Sequence, residues 1–427
     1  MNKRNLKRGM AFTAALILLC AVFGAFVKFT VDDNKKITEF AVTASADDNA
    51  SVVYMTEDIS PEGLVKIYEK MNFDDTGKTA VKISTGESQN SNNLAPDLIK
   101  DLVQSVDGTI VECNTAYGGN RSTTAKHWQE IEQRGYKEIA DVDLMDEEGE
   151  TEIPIKNGTR ITSDYVGSHL GNYDNLICLS HFKGHAMAGY GGAIKNMSIG
   201  IATSKGKVWI HSGGTRTSGS IFGDQDPFLE AMGDATSGVI DYMNGRVVYI
   251  NVMNNLSIDC DCDGNPAAPT IHDMGILASY DPVALDKACL DLIYNHESAS
   301  DEDTSTFINR VESRNGLYTL EHAEEIGIGT RQYKIESLDG EQTNEYPSVT
   351  MSYADGKVTI DGLKEKAKLI CASYTGGVLS GVRVLDAING DNDISSAIGT
   401  YTRVFLWDGI DTLVPLHDSI SAGGGDA

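Results

Sequence analysis

The stretch Ser257–Pro266, "SIDCDCDGNP", sets Cys260 and Cys262 one residue apart among three aspartates, just before a Gly-Asn-Pro turn. Thiolates and carboxylates are metal ligands, and two donors from one short turn reduce the entropy of assembling a site. A disulfide spanning a single residue would close a small, strained ring, so free thiols are expected. His272, ten residues beyond Cys262, is near enough in sequence to fold back as a further ligand. The pattern predicts a bound metal ion, zinc or iron. An iron–sulfur cluster is a narrower case: it normally takes four cysteines, no C-x-x-C run exists here, and Cys113 and Cys178 would have to converge on the turn.

A second candidate is "SHFKGHAMAGYGGAIKNMSIGIATSKGK", Ser180–Lys207. His181 and His185 are four apart but follow an apolar strand and flank Gly184, which argues for a loop, where two imidazoles can bind metal or handle protons near neutral pH. The zinc-protease pattern H-E-x-x-H is not met, because Phe182 stands in the glutamate position. Gly189, Gly191 and Gly192 precede Lys195 and Asn196, so exposed amides beside a cation could cradle a phosphate or carboxylate. The ordinary alternative is that the histidines finish a strand and the glycines allow close backbone packing. A P-loop is excluded: Gly200 to Gly206 is one residue too long, and Val208 follows Lys207. No G-x-S-x-G elbow is present, and "HSGGT" (His211–Thr215), without a visible partner, reads as a loop.

The elements that must position these residues alternate in type. "KTAVKIS" (Lys78–Ser84) reads as a strand, "NLAPDLIKDLVQSV" (Asn93–Val106) as a helix and "GTIVECNTA" (Gly108–Ala116) as a second strand. The alternation continues through a helix near Thr123–Arg134, a strand Asn175–Ser180, a helix near Phe228–Met243 and a strand Arg246–Met253. The expected fold class is therefore α/β, a mostly parallel sheet with flanking helices over residues 51–335, with ligands at the carboxyl ends of the strands. Asp281-Pro282 has the chemistry of a helix cap and first turn, and Cys289 shares an apolar helix face with Leu285 and Leu292. From about Tyr346 the texture changes to period-two strands with hairpin signals at Asp355-Gly356 and Gly376-Gly377, which predicts a small C-terminal all-β sandwich over residues 340–420.

Lys3, Arg4, Lys7 and Arg8 precede an uncharged run from Gly9 to Val27, so residues 1–30 read as a signal peptide or N-terminal membrane anchor and residues 31–50 as a linker. Positive charge before the apolar run puts the body outside the cytoplasm, secreted or held at the cell surface. Residues 1–46 carry seven Lys/Arg and three Asp/Glu, so without them the formal charge goes from −27 to −31. That field repels polynucleotides and anionic lipid, which excludes a nucleic-acid partner. Six cysteines across the body are too sparse for a disulfide scaffold.

The blocks "HFKGHAMAGYGGAIKNMSIG" (His181–Gly200) and "DCDCDGNPAAPTIHDMGILASYDPVALDKA" (Asp259–Ala288) resemble the bacterial and archaeal family called domain of unknown function 362. The resemblance covers about residues 50–330. It implies an α/β domain and a site drawn from His181, His185, Lys195, Asn196, Cys260 and Cys262. The family carries an iron–sulfur label because many members have ferredoxin-like C-x-x-C-x-x-C segments; this chain departs from that pattern. "VFLWDGIDTLVPL" (Val404–Leu416) is similar to the C-terminal β modules of secreted bacterial carbohydrate-active and surface proteins. The leading expectation is a Cys/His metal site with redox or metal-assisted chemistry on a small anionic molecule. The rival is a cell-surface binding protein whose partner is cell-wall glycan.

Overall fold

The computed structural model describes residues 50–427 apart from 297, 298, 300, 340–349, 355, 364–366, 376–377, 398–400, 408–414 and 423–427. The N-terminal signal or anchor, nearly all of the linker, and the residues Asp355, Gly376 and Gly377 that marked two hairpins lie outside the described residues. Among the described residues no helix is long and apolar enough to cross a membrane. The chain divides into two compact units between Asp339 and Gly340.

The first unit opens with β1 (Ser51–Thr56), α1 (Pro61–Met71), β2 (Thr79–Lys82), α2 (Pro96–Ser105), β3 (Thr109–Glu112), α3 (Thr124–Gln133) and β4 (Val142–Leu144). A hairpin of β5 (Glu150–Pro154) and β6 (Ser163–Gly167) follows, then β7 (Asn175–His181), a second hairpin of β8 (Lys183–His185) and β9 (Gly189–Gly191), and α4 (Ala193–Ser198), α5 (Ser204–His211) and α6 (Gln225–Tyr242). The unit closes with β10 (Val247–Met253), β11 (Gly275–Ser279), α7 (Pro282–Tyr294), α8 (Ser305–Ser313), α9 (Tyr318–Glu325) and β12 (Tyr333–Ser337).

Eight strands form one sheet in the order β12-β1-β11-β10-β7-β2-β3-β4. All neighbours run parallel except β11, which is antiparallel to both β1 and β10. β7 is buried along its whole length, and its alternating side chains feed two cores. Ile177 and Leu179 pack with Ile67, Ile99 and Leu102 of α1 and α2 on one face. Leu176 and Cys178 pack with Ile194, Val239 and Leu285 of α4, α6 and α7 on the other. A sheet covered on both faces needs apolar residues at consecutive positions, which is why these strands read as continuous apolar runs. Helix starts are set locally: Ser60 accepts from the Gly63 amide, Thr203 from Gly206, and Asp281 from both Val283 and Ala284, with Pro61 and Pro282 in the first turns.

The chain runs outward from β2 to β4, then returns to place β7 on the other side of β2. The connections leaving β2 and β7 therefore diverge and leave a crevice at their carboxyl ends, where ligands bind in open α/β sheets.

The second unit contains a three-stranded antiparallel sheet, β13 (Thr350–Ala354), β14 (Lys357–Asp361) and β17 (Gly390–Asp393), and a four-stranded one ordered β16 (Val378–Ala387), β15 (Ala367–Thr375), β18 (Tyr401–Trp407), β19 (Pro415–Ala422). Both sheets contribute to one core, with Val358 and Ile360 from the first and Leu369, Val404 and Leu406 from the second.

Candidate metal centre and anion pocket

The turn that carries the cysteines leaves β10 at the carboxyl edge. The Asp263 amide donates to the Cys260 carbonyl at 2.8 Å, closing a tight turn around Asp261 and Cys262. Ser91 Oγ donates to the Asp263 carbonyl and Ser88 Oγ to the Gly264 carbonyl, so the turn is stapled to the loop after β2. On its other side β8 lies so close that a Cβ on Gly184 would sit 2.3 Å from the Ile258 carbonyl oxygen, a contact only glycine permits.

Asp261, between the cysteines, points the opposite way into a fully buried ion-pair set. Its carboxylate meets His181 Nδ1 at 2.7 Å and Lys183 Nζ at 2.9 Å. Burial opposes its ionisation, but Lys183 and His181 outweigh burial and hold its pKa at about 2. His181 Nε2 is also engaged, with the Asn254 carbonyl at 2.6 Å. His181 was a predicted metal ligand; both its nitrogens are spent on fixing the turn, and it is a buttress instead. It ends β7 and His185 ends β8, so neither lies in the expected loop.

His185, Cys260 and Cys262 do converge: one ligand atom from each lies within 4.8 Å of the other two. The His185 Nδ1 accepts from the amides of Met187 at 3.1 Å and Ala188 at 2.9 Å, so the neutral ring carries its proton on Nε2. The hydrogen bond from Cys262, against the cost of burial and with Lys195 and His185 alongside, holds the Cys260 thiol well below its ordinary pKa. The same hydrogen bond and burial push the Cys262 thiol up.

The other predicted donors go elsewhere. His272 is exposed and faces Asp301 and Glu302 at 3.3 and 3.4 Å, because the segment from Asn265 carries it away from the turn. Cys113 donates to the Ile201 carbonyl and Cys178 to the Ala193 carbonyl, and burial pushes both thiols up, Cys178 to about 12. An iron–sulfur cluster does not fit: among the described residues three cysteines line the cavity, Cys113, Cys260 and Cys262, and Cys113 is held by the Ile201 carbonyl, where such a cluster takes four.

These groups open on a cavity of about 180 Å³ lined by residues from the ends of β2, β3 and β7, from β8, and from α4 and α5. Its charge is opposite to that of the acidic chain: Lys82, Arg121, Lys183, Lys195 and Lys207 line it. Three of them are neutralised in place. Lys82 meets Glu112 at 2.8 Å, Arg121 meets Glu112 at 3.1 Å and Glu87 at 3.2 Å, and Lys183 meets Asp261. Burial alone would raise Glu112, yet Lys82 and Arg121 bring it well below the carboxylate range. Lys195 Nζ lies 3.9 Å from Cys260 Sγ and makes no ion pair with a carboxylate among the described residues.

Gly191, Gly192 and Asn196 were expected to present free groups to an anion. The first amides of α4, on Ala193 and Ile194, instead donate to the buried carboxylate of Asp286 at 2.7 and 3.1 Å. A Cβ on Gly192 would lie 2.3 Å from Asp286 Oδ1, so this glycine makes room for that internal carboxylate. Asn196 accepts from Lys82 and donates to Lys82, Leu179 and Ser180, bracing the ends of β2 and β7. Of the four predicted anion-binding residues, Lys195 alone offers a charged group that no carboxylate holds among the described residues; its ammonium faces the Cys260 sulfur.

Sequence reasoning gave no site role to Asp261, Lys183, Arg121, Lys82, Glu112 or Lys207, and it read His211 as part of a loop, whereas His211 ends α5. A signal existed for two: "TAVK" and "TIVE" each end an apolar strand with a charge, and Lys82 and Glu112 are almost fully buried there.

No curated protein matches the chain. Among solved structures it is similar to the lactate racemase apoprotein from Thermoanaerobacterium thermosaccharolyticum, at 15% identity over 53% of this chain and 55% of that one, TM-score 0.32. It is also similar to a structural-genomics target from Thermotoga maritima, at 11% identity over 63% and 59%, TM-score 0.34. The chain thus spans less than two thirds of either protein, and the likeness is distant. Residues 79–291, which run from β2 into α7 and include every residue of the cavity described above, match the family model "Domain of unknown function (DUF362)", and the chain belongs to that family.

Proposed function

We propose that the chain is an extracytoplasmic metalloprotein in which Cys260, Cys262 and His185 hold one zinc or iron ion, with a small anion as its ligand or substrate. The observation that carries this reading is the convergence of the three donors within 4.8 Å at the mouth of a cationic cavity. Donors around a tetrahedral ion at ordinary bond lengths lie about 3.5 Å apart, so small rotations bring the two sulfurs into position, whereas His185 ligates only when its ring turns and releases the amides of Met187 and Ala188 from Nδ1. Three protein ligands leave one coordination position open, the arrangement of catalytic rather than structural sites.

A bound ion supplies Lewis-acid polarisation or, if iron, one-electron chemistry. The protein residues do the rest. Asp261, held by His181 and Lys183, fixes the cysteine turn. Lys195 offsets thiolate charge and draws an oxyanion toward the open position. The charge pattern Lys3, Arg4, Lys7, Arg8 followed by Gly9–Val27 supports export.

The test is metal content of the full-length protein, produced without oxygen. About one ion per chain is expected, lost in both Cys260→Ser and Cys262→Ser. A metal-free protein whose melting temperature does not respond to zinc or iron contradicts the reading.

A further inference from the structure

α5 places Lys207 and His211 four residues apart, on one helix face, and both line the cavity. The Lys207 side chain is buried, and its Nζ donates to the Ala202 carbonyl at 2.5 Å without an ion pair to any carboxylate among the described residues. Its surroundings include Asp146, but that carboxylate accepts the Asn114 amide at 3.0 Å and lies beyond ion-pair distance. His211 is 6% exposed, and its Nδ1 is buried without a partner among the described residues. The ring stacks on Phe228 at 4.4 Å and 14°, which fixes its orientation. A buried ammonium and a buried, unsatisfied imidazole nitrogen each carry a desolvation cost that a bound polar group removes.

We infer that Lys207 and His211 form a second anion subsite, and that the cavity takes a small molecule with two oxyanion groups, one at Lys195 and the other at Lys207. This deepens the metal reading, on which the placement of the first group rests. The two ammoniums stand on different helices, α4 and α5, while the other three cations are internally neutralised, so two positions are left for negative charge. The cavity, about 180 Å³, has room for a short dicarboxylate or a phosphorylated short acid. His211 contributes a hydrogen bond to the second group and sets its angle.

Calorimetric titration of the full-length protein with succinate, phosphoglycolate, butyrate and inorganic phosphate tests this. Succinate or phosphoglycolate is expected to bind at least tenfold more tightly than butyrate and phosphate. Lys207→Gln should abolish that preference, and His211→Asn should weaken the two-headed probe several-fold. Equal affinity for one-headed and two-headed probes in the wild type overturns the inference, as does a uniform loss in Lys207→Gln. The wild-type comparison needs no variant to fold. Metal content read on the same samples separates the two proposals: a metal-free protein that still prefers succinate through Lys207 keeps the subsite and removes the ion, and a metal-loaded protein without that preference does the reverse.

Discussion

Asp261 sits between two candidate ligands yet binds neither ion nor cavity; its carboxylate is spent on His181 and Lys183. Groups that orient ligands from behind typically affect metal affinity by about 10- to 100-fold. Asp261→Asn keeps the shape and removes the charge that Lys183 needs, so metal affinity measured by chelator competition should fall by about that factor, with all three donors still present. Unchanged affinity would mean that the turn is held by its backbone alone. Gly192 tests the other reassignment: Gly192→Ala forces a methyl against Asp286 and should cost about 1 to 3 kcal/mol in denaturant unfolding. At this scale the Cys260/Cys262 pair was legible in the sequence, because two thiols one residue apart share a turn in any fold. His181 was not, since only the folded chain brings Asp261 and the Asn254 carbonyl, 73 residues away, to its two nitrogens.

At the scale of elements, the strands were legible from their apolar runs, and the helices from their period. The first strand and helix, β1 and α1, and the reversal of β11 were not read, since direction in a sheet depends on partners distant in sequence: Tyr54 pairs with Ala278. Lys207 was not singled out, and His211 was read as a loop residue, for a related reason. A short helix with mixed residues, α5, has no strong amphipathic signal, and its inward face is set by α6 and β6. β6 also carries a buried carboxyl with a measurable consequence. Asp164 is fully buried, its Oδ2 has no partner among the described residues, and burial raises its pKa from 3.8 to about 7. Below about pH 4 both folded and unfolded chains hold the proton; between 4 and 7 the folded chain alone holds it. Stability from this group is therefore complete below pH 4 and lost as pH rises through 7, on the order of 4 kcal/mol in all. Asp164→Asn should flatten the fall in melting temperature between pH 4 and 7, and an unchanged slope would remove Asp164 as its source.

For the whole molecule, the chain divides between Asp339 and Gly340, and the β strands of the second unit close their own core. The cavity and every proposed ligand lie in the first unit. A chain ending at Asp339 should keep metal affinity within about twofold of the full-length protein, and a loss of tenfold or more would show that the β module supports the site. The central claim is the two-thiolate, one-imidazole ion, and its most direct test is cobalt substitution. Full-length protein loaded with Co(II) without oxygen should show thiolate-to-metal charge-transfer absorption in the near ultraviolet. Its intensity should correspond to two thiolates and disappear in Cys260→Ser and in Cys262→Ser, which lose the ion, with tetrahedral visible bands that shift in His185→Gln. Absence of charge-transfer absorption in the wild type, or equal intensity in the serine variants, would contradict the account.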